Sequence, residues 1–156
     1  IKYVNALKQQ FDMPFVHDAR VGGNACLSYR PDVLFLDANC KVHIQFELDE
    51  HQHGWKSGSY GCDEKRISDI YDEFGDNVPD HYVVVRLNPD SYGNEQHGRN
   101  KVFQQRLDHL LEVLHAVRKR PPPHRISIIY MYYDENNHRI AKNIPKYMVN
   151  DTVRLF

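Results

Sequence analysis

Long apolar runs are missing from this chain of 156 residues. No stretch of about 18 apolar residues occurs, so no membrane-spanning helix is expected. No cleavable leader with a basic start and an apolar middle is visible either. Cysteine is scarce and odd in number: Cys26, Cys40 and Cys62, with no C-x-x-C spacing. That argues against a disulfide framework and for a reducing, intracellular compartment, nucleus or cytoplasm. Ten histidines accompany the cysteines, but no zinc-site spacing links the two residue types. Internal repeats and low-complexity tracts are absent, as is any recognisable module for reading a base sequence. Net charge is only −1, so the chain as a whole has no pull toward polyanions.

What is present is ordinary for a globular protein: 41% apolar and 26% charged residues. The length suits a single domain over residues 1–156, which buries roughly 70% of its unfolded surface without staples. The chain begins at Ile1 rather than Met, as an excised domain or a processed product does, so partner domains in a larger protein are compatible with it. The charge is unevenly spread. Residues 1–96 sum to −7 and residues 97–156 to +6. An acidic half able to hold a metal, joined to a basic half able to hold phosphate, suits a metal-dependent nuclease.

Hydrophobic spacing predicts a short helix over residues 2–11, ended by Asp12 and Pro14. A strand is expected from Phe15 to Val21, closed by Gly22-Gly23-Asn24. Val33–Leu36 and Lys41–Asp49 read as two strands joined by a turn at Asp37-Ala38-Asn39-Cys40. In the second, Val42, Ile44, Phe46 and Leu48 fall on one face and His43, Gln45, Glu47 and Asp49 on the other, the period of a half-solvated strand. A polar loop over 51–61 leads to a helix capped by Asp63 and ended by Gly75. Tyr82–Leu87 predicts a buried strand, Lys101–Arg118 the longest helix and Ile126–Tyr133 a further strand. The last twenty-odd residues carry no clear pattern. Alternating strands and helices with one hairpin predict an α/β fold, a mixed β-sheet flanked by helices.

The chemistry concentrates between Arg30 and Arg66. Glu47 and Asp49 sit two apart on one strand face, about 7 Å apart at their origins. Asp32 opens the neighbouring strand of the same hairpin. Three carboxylates converging there repel one another unless a cation lies between them or protons are taken up. A hard ion, Mg²⁺ or Mn²⁺, prefers such oxygen ligands and leaves positions for water and phosphate. Alone, an E-x-D on a strand is more often a solvated polar face. Arg86 interrupts an apolar strand and needs a partner if buried, either a carboxylate or a phosphate. Asn88 and Asp90 suit a turn.

The pieces Arg30-Pro31-Asp32, Glu47-x-Asp49-Glu50-x-Gln52-His53, Asp63-Glu64-Lys65-Arg66 and Arg86-x-Asn88-Pro89-Asp90 together resemble the PD-(D/E)-x-K nuclease superfamily. Within it, they are similar to the branch of very-short-patch repair endonucleases and of bacterial and giant-virus proteins with an E-x-D-G-x-x-H type motif. The resemblance spans roughly Asp18 to Tyr92. It implies a restriction-endonuclease-like fold and a metal-dependent endonuclease that hydrolyses phosphodiester bonds in DNA. Asp32 and Glu47 are then ligands of Mg²⁺ or Mn²⁺. Asp49 stands where many members carry the lysine that orients the attacking water, and so becomes an additional ligand. The missing polar role falls to Gln52, His53 or Lys65. Arg30, Lys65, Arg66 and Arg86 are the expected nucleic-acid contacts. The acidic residue that many members carry in their first helix has no counterpart in residues 2–11, with Asp18 or His17 as substitutes. Two other readings compete: a nuclease-like module that binds nucleic acid without cutting it, and a zinc hydrolase built on His51, His53, Asp49 and another histidine. Oligomeric state is open.

Overall fold

The computed structural model describes residues 2–18, 30–49, 60–89, 99–132, 146–149 and 151–155, with side chains described over 2–18, 30–49, 66–89 and 102–132. Among the described residues, three α-helices, α1 (Lys2–Gln10), α2 (Tyr60–Glu73) and α3 (Arg99–Lys119), accompany seven strands. The strands are β1 (Phe15–His17), β2 (Val33–Phe35), β3 (Val42–Leu48), β4 (His81–Leu87), β5 (Ile126–Met131), β6 (Lys146–Val149) and β7 (Asp151–Leu155). They form one mixed sheet in the order β1-β2-β3-β4-β5-β7-β6. β1, β2 and β3 run antiparallel in turn, β3, β4 and β5 run parallel, and β7 and β6 return antiparallel. The α/β architecture expected from the alternation is therefore present.

Two apolar layers hold the helices to the sheet. On one face, Tyr3, Val4 and Leu7 of α1 and Leu107, Leu110, Leu114 and Val117 of α3 pack on Val33, Phe35, Val42, Ile44, Phe46, Val83, Val85 and Leu87. On the other, Ile67, Ile70 and Tyr71 of α2 pack on Leu34, Tyr82, Val84, Ile128 and Tyr130. The alternate residues of each strand serve the two layers in turn, as the pleat requires. β3 steps to β4 and β4 to β5 in the same direction, yet α2 and α3 lie on opposite faces. The two crossovers therefore have opposite hands, and one departs from the usual right-handed rule.

Several boundaries differ from the sequence reading. α2 begins at Tyr60, so Asp63 lies within its first turn rather than at its cap. Gly75 does end it, at φ +55°. β1 stops at His17, and the expected continuation to Val21 lies largely outside the described residues. β5 ends at Met131 because Tyr132 turns to φ 60°. The tail that showed no pattern forms the β6–β7 hairpin. The largest difference is in β3. Its polar face is not solvated: His43, Gln45 and Asp49 are all buried. β3 lies in the sheet interior with helices over both faces, so alternation there sorts residues between two dry layers.

Candidate functional site

β3 and β4 are parallel neighbours, and the helices that follow them lie on opposite faces. Open α/β sheets bind ligands outside the carboxyl ends of their parallel strands. Glu47, Asp49 and Arg86 all lie at that end of β3 and β4.

β2 pairs with β3 through Val33↔Phe46, and Asp32, the residue before β2, reaches the amide of Leu48, the residue after Glu47. Backbone chemistry fixes Asp32. The Asp49 amide is directed to β4, donating to the Leu87 carbonyl at 2.9 Å, so the Leu48 amide faces β2. β2 supplies no carbonyl there. The Asp32 carboxylate takes its place and accepts the Leu48 N–H at 2.8 Å. Asp18, just past β1, departs from the strand at φ 46° and stands 3.9 Å from the Arg30 guanidinium, both exposed.

Glu47 is oriented from within. The Tyr82 hydroxyl donates to Gln45 Oε1, and Gln45 Nε2 donates to Glu47 Oε1 at 2.7 Å. Gln45 and Tyr82 are fully buried, while Glu47 is half-buried. The sequence reading passed over both supports. The available signal was a glutamine midway along an apolar strand with a tyrosine opening its neighbour.

Asp49 is placed differently. Its carboxylate accepts from Arg86 Nε at 2.6 Å and from Nη2 at 3.3 Å, with only 1% and 6% of the two side chains exposed. Of the two partners open to Arg86 on sequence, a carboxylate and a phosphate, the structure shows the carboxylate. The expected gathering of three carboxylates is not what the described residues show: Asp49 is gripped by a cation, while Asp32 bonds the Leu48 amide and Glu47 bonds Gln45. Among the described residues, no three His, Cys, Asp or Glu side chains cluster as a metal site. Two carboxylates still suit a magnesium-type ion, which takes one or two protein carboxylates and completes its shell with water and substrate oxygens.

Arg30 and Arg66 are exposed. Gln52, His51 and His53 lie outside the described residues, as does the side chain of Lys65. Asn88 proves structural: its backbone N–H donates to the Met131 carbonyl at 3.0 Å and its side-chain amide to the Tyr132 carbonyl at 3.0 Å, while its own carbonyl accepts from Arg106. Asp90 lies outside the described residues.

Of the basic half, Arg118, Lys119 and Arg120 do not converge on this end. Arg106 is buried against the Tyr132 ring. Arg118, Lys119 and Arg120 are exposed, but α3 runs back along the sheet and delivers them to the amino-terminal ends of the parallel strands. The seven residues of β3 put about 20 Å between the two ends. No family model matches the chain, and neither do any curated proteins or solved structures. No helix among the described residues is long and apolar enough to cross a membrane.

Proposed function

We propose that the chain is a metal-dependent endonuclease of the PD-(D/E)-x-K type, with a restriction-endonuclease-like fold and DNA as its substrate. The observation that carries the reading is the hydrogen bond from the Leu48 N–H to the Asp32 carboxylate, which holds Asp32 beside the strand end that carries Glu47, at the carboxyl end of the parallel strands. Both offer hard oxygen donors suited to Mg²⁺ or Mn²⁺. Such an ion, when bound, lowers the pKa of water and offsets charge gathering on phosphoryl oxygens. The protein's part is positioning. The Leu48 amide fixes Asp32, and Gln45 fixes Glu47. Arg86 cancels the charge of Asp49, so fewer like charges oppose an incoming phosphate. Arg30 and Arg66 are exposed cations able to meet the nucleic-acid backbone.

The test is incubation with supercoiled plasmid and with short single- and double-stranded DNA and RNA, in Mg²⁺ and in Mn²⁺. Asp32→Asn and Glu47→Gln run beside the parent chain. Metal-dependent cutting that disappears in both variants is the expected result. One observation favours a second reading. Asp49 stands where the resembling family carries a water-orienting lysine, and it is held by Arg86. A module that binds nucleic acid without hydrolysing it would retain affinity while leaving every substrate intact.

A further inference from the structure

His43 lies where three parts of the fold meet. β3 carries it, in register with Tyr82 of β4. The turn between β2 and β3 supplies a backbone amide, the Asp37 N–H donating to His43 Nδ1 at 3.2 Å. Phe74, the residue that follows α2, meets the imidazole edge-on at 5.1 Å between centroids and the Tyr82 ring at 5.6 Å. His43 is 4% exposed. We propose that His43 is an acid-operated latch: when its imidazole gains a proton, the ring leaves Phe74 and the carboxyl-terminal turn of α2 comes away from the sheet, while the layer under α1 and α3 stays packed. This regulation stands apart from the nuclease reading and does not rest on it.

The hydrogen bond fixes the starting state. An Nδ1 that accepts from an amide carries the lone pair of a neutral ring, so the ring's proton is on Nε2. A second proton goes to Nδ1, where it faces the Asp37 N–H, donor against donor. The acceptor is lost, and a positive charge stands in a buried pocket beside Phe74. Asp37 is the charged group that acts on the ring from the turn, but its carboxylate already accepts from the N–H groups of Asn39, Lys41 and Val42. α2 and β4 present the rings of Phe74 and Tyr82; Glu73 and Asp80, near them in the chain, are not among the charges acting on His43. Burial outweighs Asp37 and holds the imidazole below its ordinary 6.5. The closed form is therefore fully favoured above about pH 6.5 and loses ground as the pH falls toward the folded-state value.

The part that moves is lightly held. Ile67, Ile70 and Tyr71 seat α2 on its face of the sheet, and the Tyr71 hydroxyl donates to the Pro79 carbonyl at 3.1 Å. Past Phe74 the chain turns at Gly75, φ +55°, into a short turn, Gly75–Asn77, with no buried residue. Local opening begins in segments with few buried contacts. α1 and α3 pack on the opposite face, away from Phe74 and Tyr82. Lifting Phe74 uncovers the Tyr82 ring.

Amide hydrogen exchange of the whole chain tests the latch. It is read by nuclear magnetic resonance between about pH 7.5 and 5, either side of the ordinary histidine value, and corrected for the pH dependence of exchange itself. The probes are the Phe74 and Asn77 amides, which donate to the Tyr71 and Phe74 carbonyls. Their protection should fall below about pH 6.5 by up to about tenfold per pH unit, the limit for one proton, while Leu110 and Leu114 keep theirs. His43→Asn keeps an acceptor oxygen near the Nδ1 position but takes up no proton, and it should hold Phe74 protection constant. A second measurement needs no change at His43: Phe74→Ala should bring the imidazole titration back toward its ordinary value. Protection lost at Leu110 together with Phe74, a Phe74 amide indifferent to pH, a slope retained in His43→Asn, or an imidazole titration unchanged in Phe74→Ala would each overturn the latch.

Discussion

Arg86 closes on Asp49 from the neighbouring parallel strand, its Nε 2.6 Å from one carboxylate oxygen and its Nη2 3.3 Å from the other. Both groups are buried at the carboxyl end of the parallel strands, the end that carries Glu47. Pairs of this kind are costly to break and cheap to replace whole. Arg86→Met alone should lower stability by about 3–5 kcal/mol, since an unpaired carboxylate remains buried. Adding Asp49→Leu should return most of that loss. Urea unfolding of the parent, the two single variants and the double variant measures the coupling directly.

Asp32 has two separable roles, a structural one toward the Leu48 amide and a proposed one toward a metal. Asp32→Ala removes the acceptor and should cost about 1–2 kcal/mol, toward the low end for a half-exposed charged hydrogen bond. Asp32→Asn keeps an acceptor oxygen and should cost less than half of that. Cleavage should vanish in both. A variant pair in which activity follows stability instead would assign Asp32 to the fold alone.

Two groups at the β2–β3 turn, His43 and Asp37, have shifted pKa values. Burial pushes the pKa of His43 below its ordinary value of 6.5, against the opposing pull of the Asp37 charge. Its Nδ1 accepts the Asp37 N–H at 3.2 Å, and its ring packs edge-on to Phe74. The unfolded chain therefore binds this proton more readily than the folded one. Stability should be intact above about pH 6.5 and fall as the pH drops from there toward the folded-state pKa. His43→Gln should flatten that slope in denaturant midpoints measured between pH 7.5 and 5, roughly one unit to either side of the ordinary histidine value.

Asp37 adds a separate loss at lower pH. Burial raises its pKa, but the backbone N–H groups of Asn39, Lys41 and Val42, with the charge of His43, outweigh this and leave it below 3.8. Its stabilisation is present above that value and disappears as the pH falls through the lowered one. Asp37→Ala should destabilise the turn by about 1–2 kcal/mol at neutral pH, the cost of several modest hydrogen bonds at an exposed site. It should also remove the acid slope below pH 4, near the ordinary carboxylate value. Acid titration followed by circular dichroism reads both effects.

The core beneath α1 and α3 gives a control on the face of the sheet opposite α2. Leu110 has no exposed surface and packs in the layer with Ile44, Phe46 and Val85. Leu110→Ala should cost about 2–5 kcal/mol through lost burial and the cavity left behind. The Mn²⁺ affinity of the folded fraction should not change, which separates loss of fold from loss of site.

Much of the architecture was legible because the apolar spacing is strong where the elements are long. Leu107, Leu110, Leu114 and Val117 mark α3, and Tyr82–Leu87 marks β4. The β6–β7 hairpin was not legible, since short strands at a sheet margin leave little periodicity to read. The polar half of β3 misled for a related reason. Alternation records that two faces differ, and it cannot tell a wet face from a dry one lined by His43, Gln45 and Asp49.

The chain's order of residue types alone determined the α/β class, the β2–β3 hairpin and the placing of Asp32 and Glu47 near strand ends, because local periodicity and turn chemistry act over only a few residues. It also showed that Arg86, set in an apolar run, would need a partner. Tertiary structure alone decided which partner. Parallel pairing of β3 with β4 brought Arg86 to Asp49, and the return of α3 carried Arg118, Lys119 and Arg120 to the far end of the sheet. Both outcomes depend on strand order and crossover direction, which join residues far apart in the chain and leave no local mark on it.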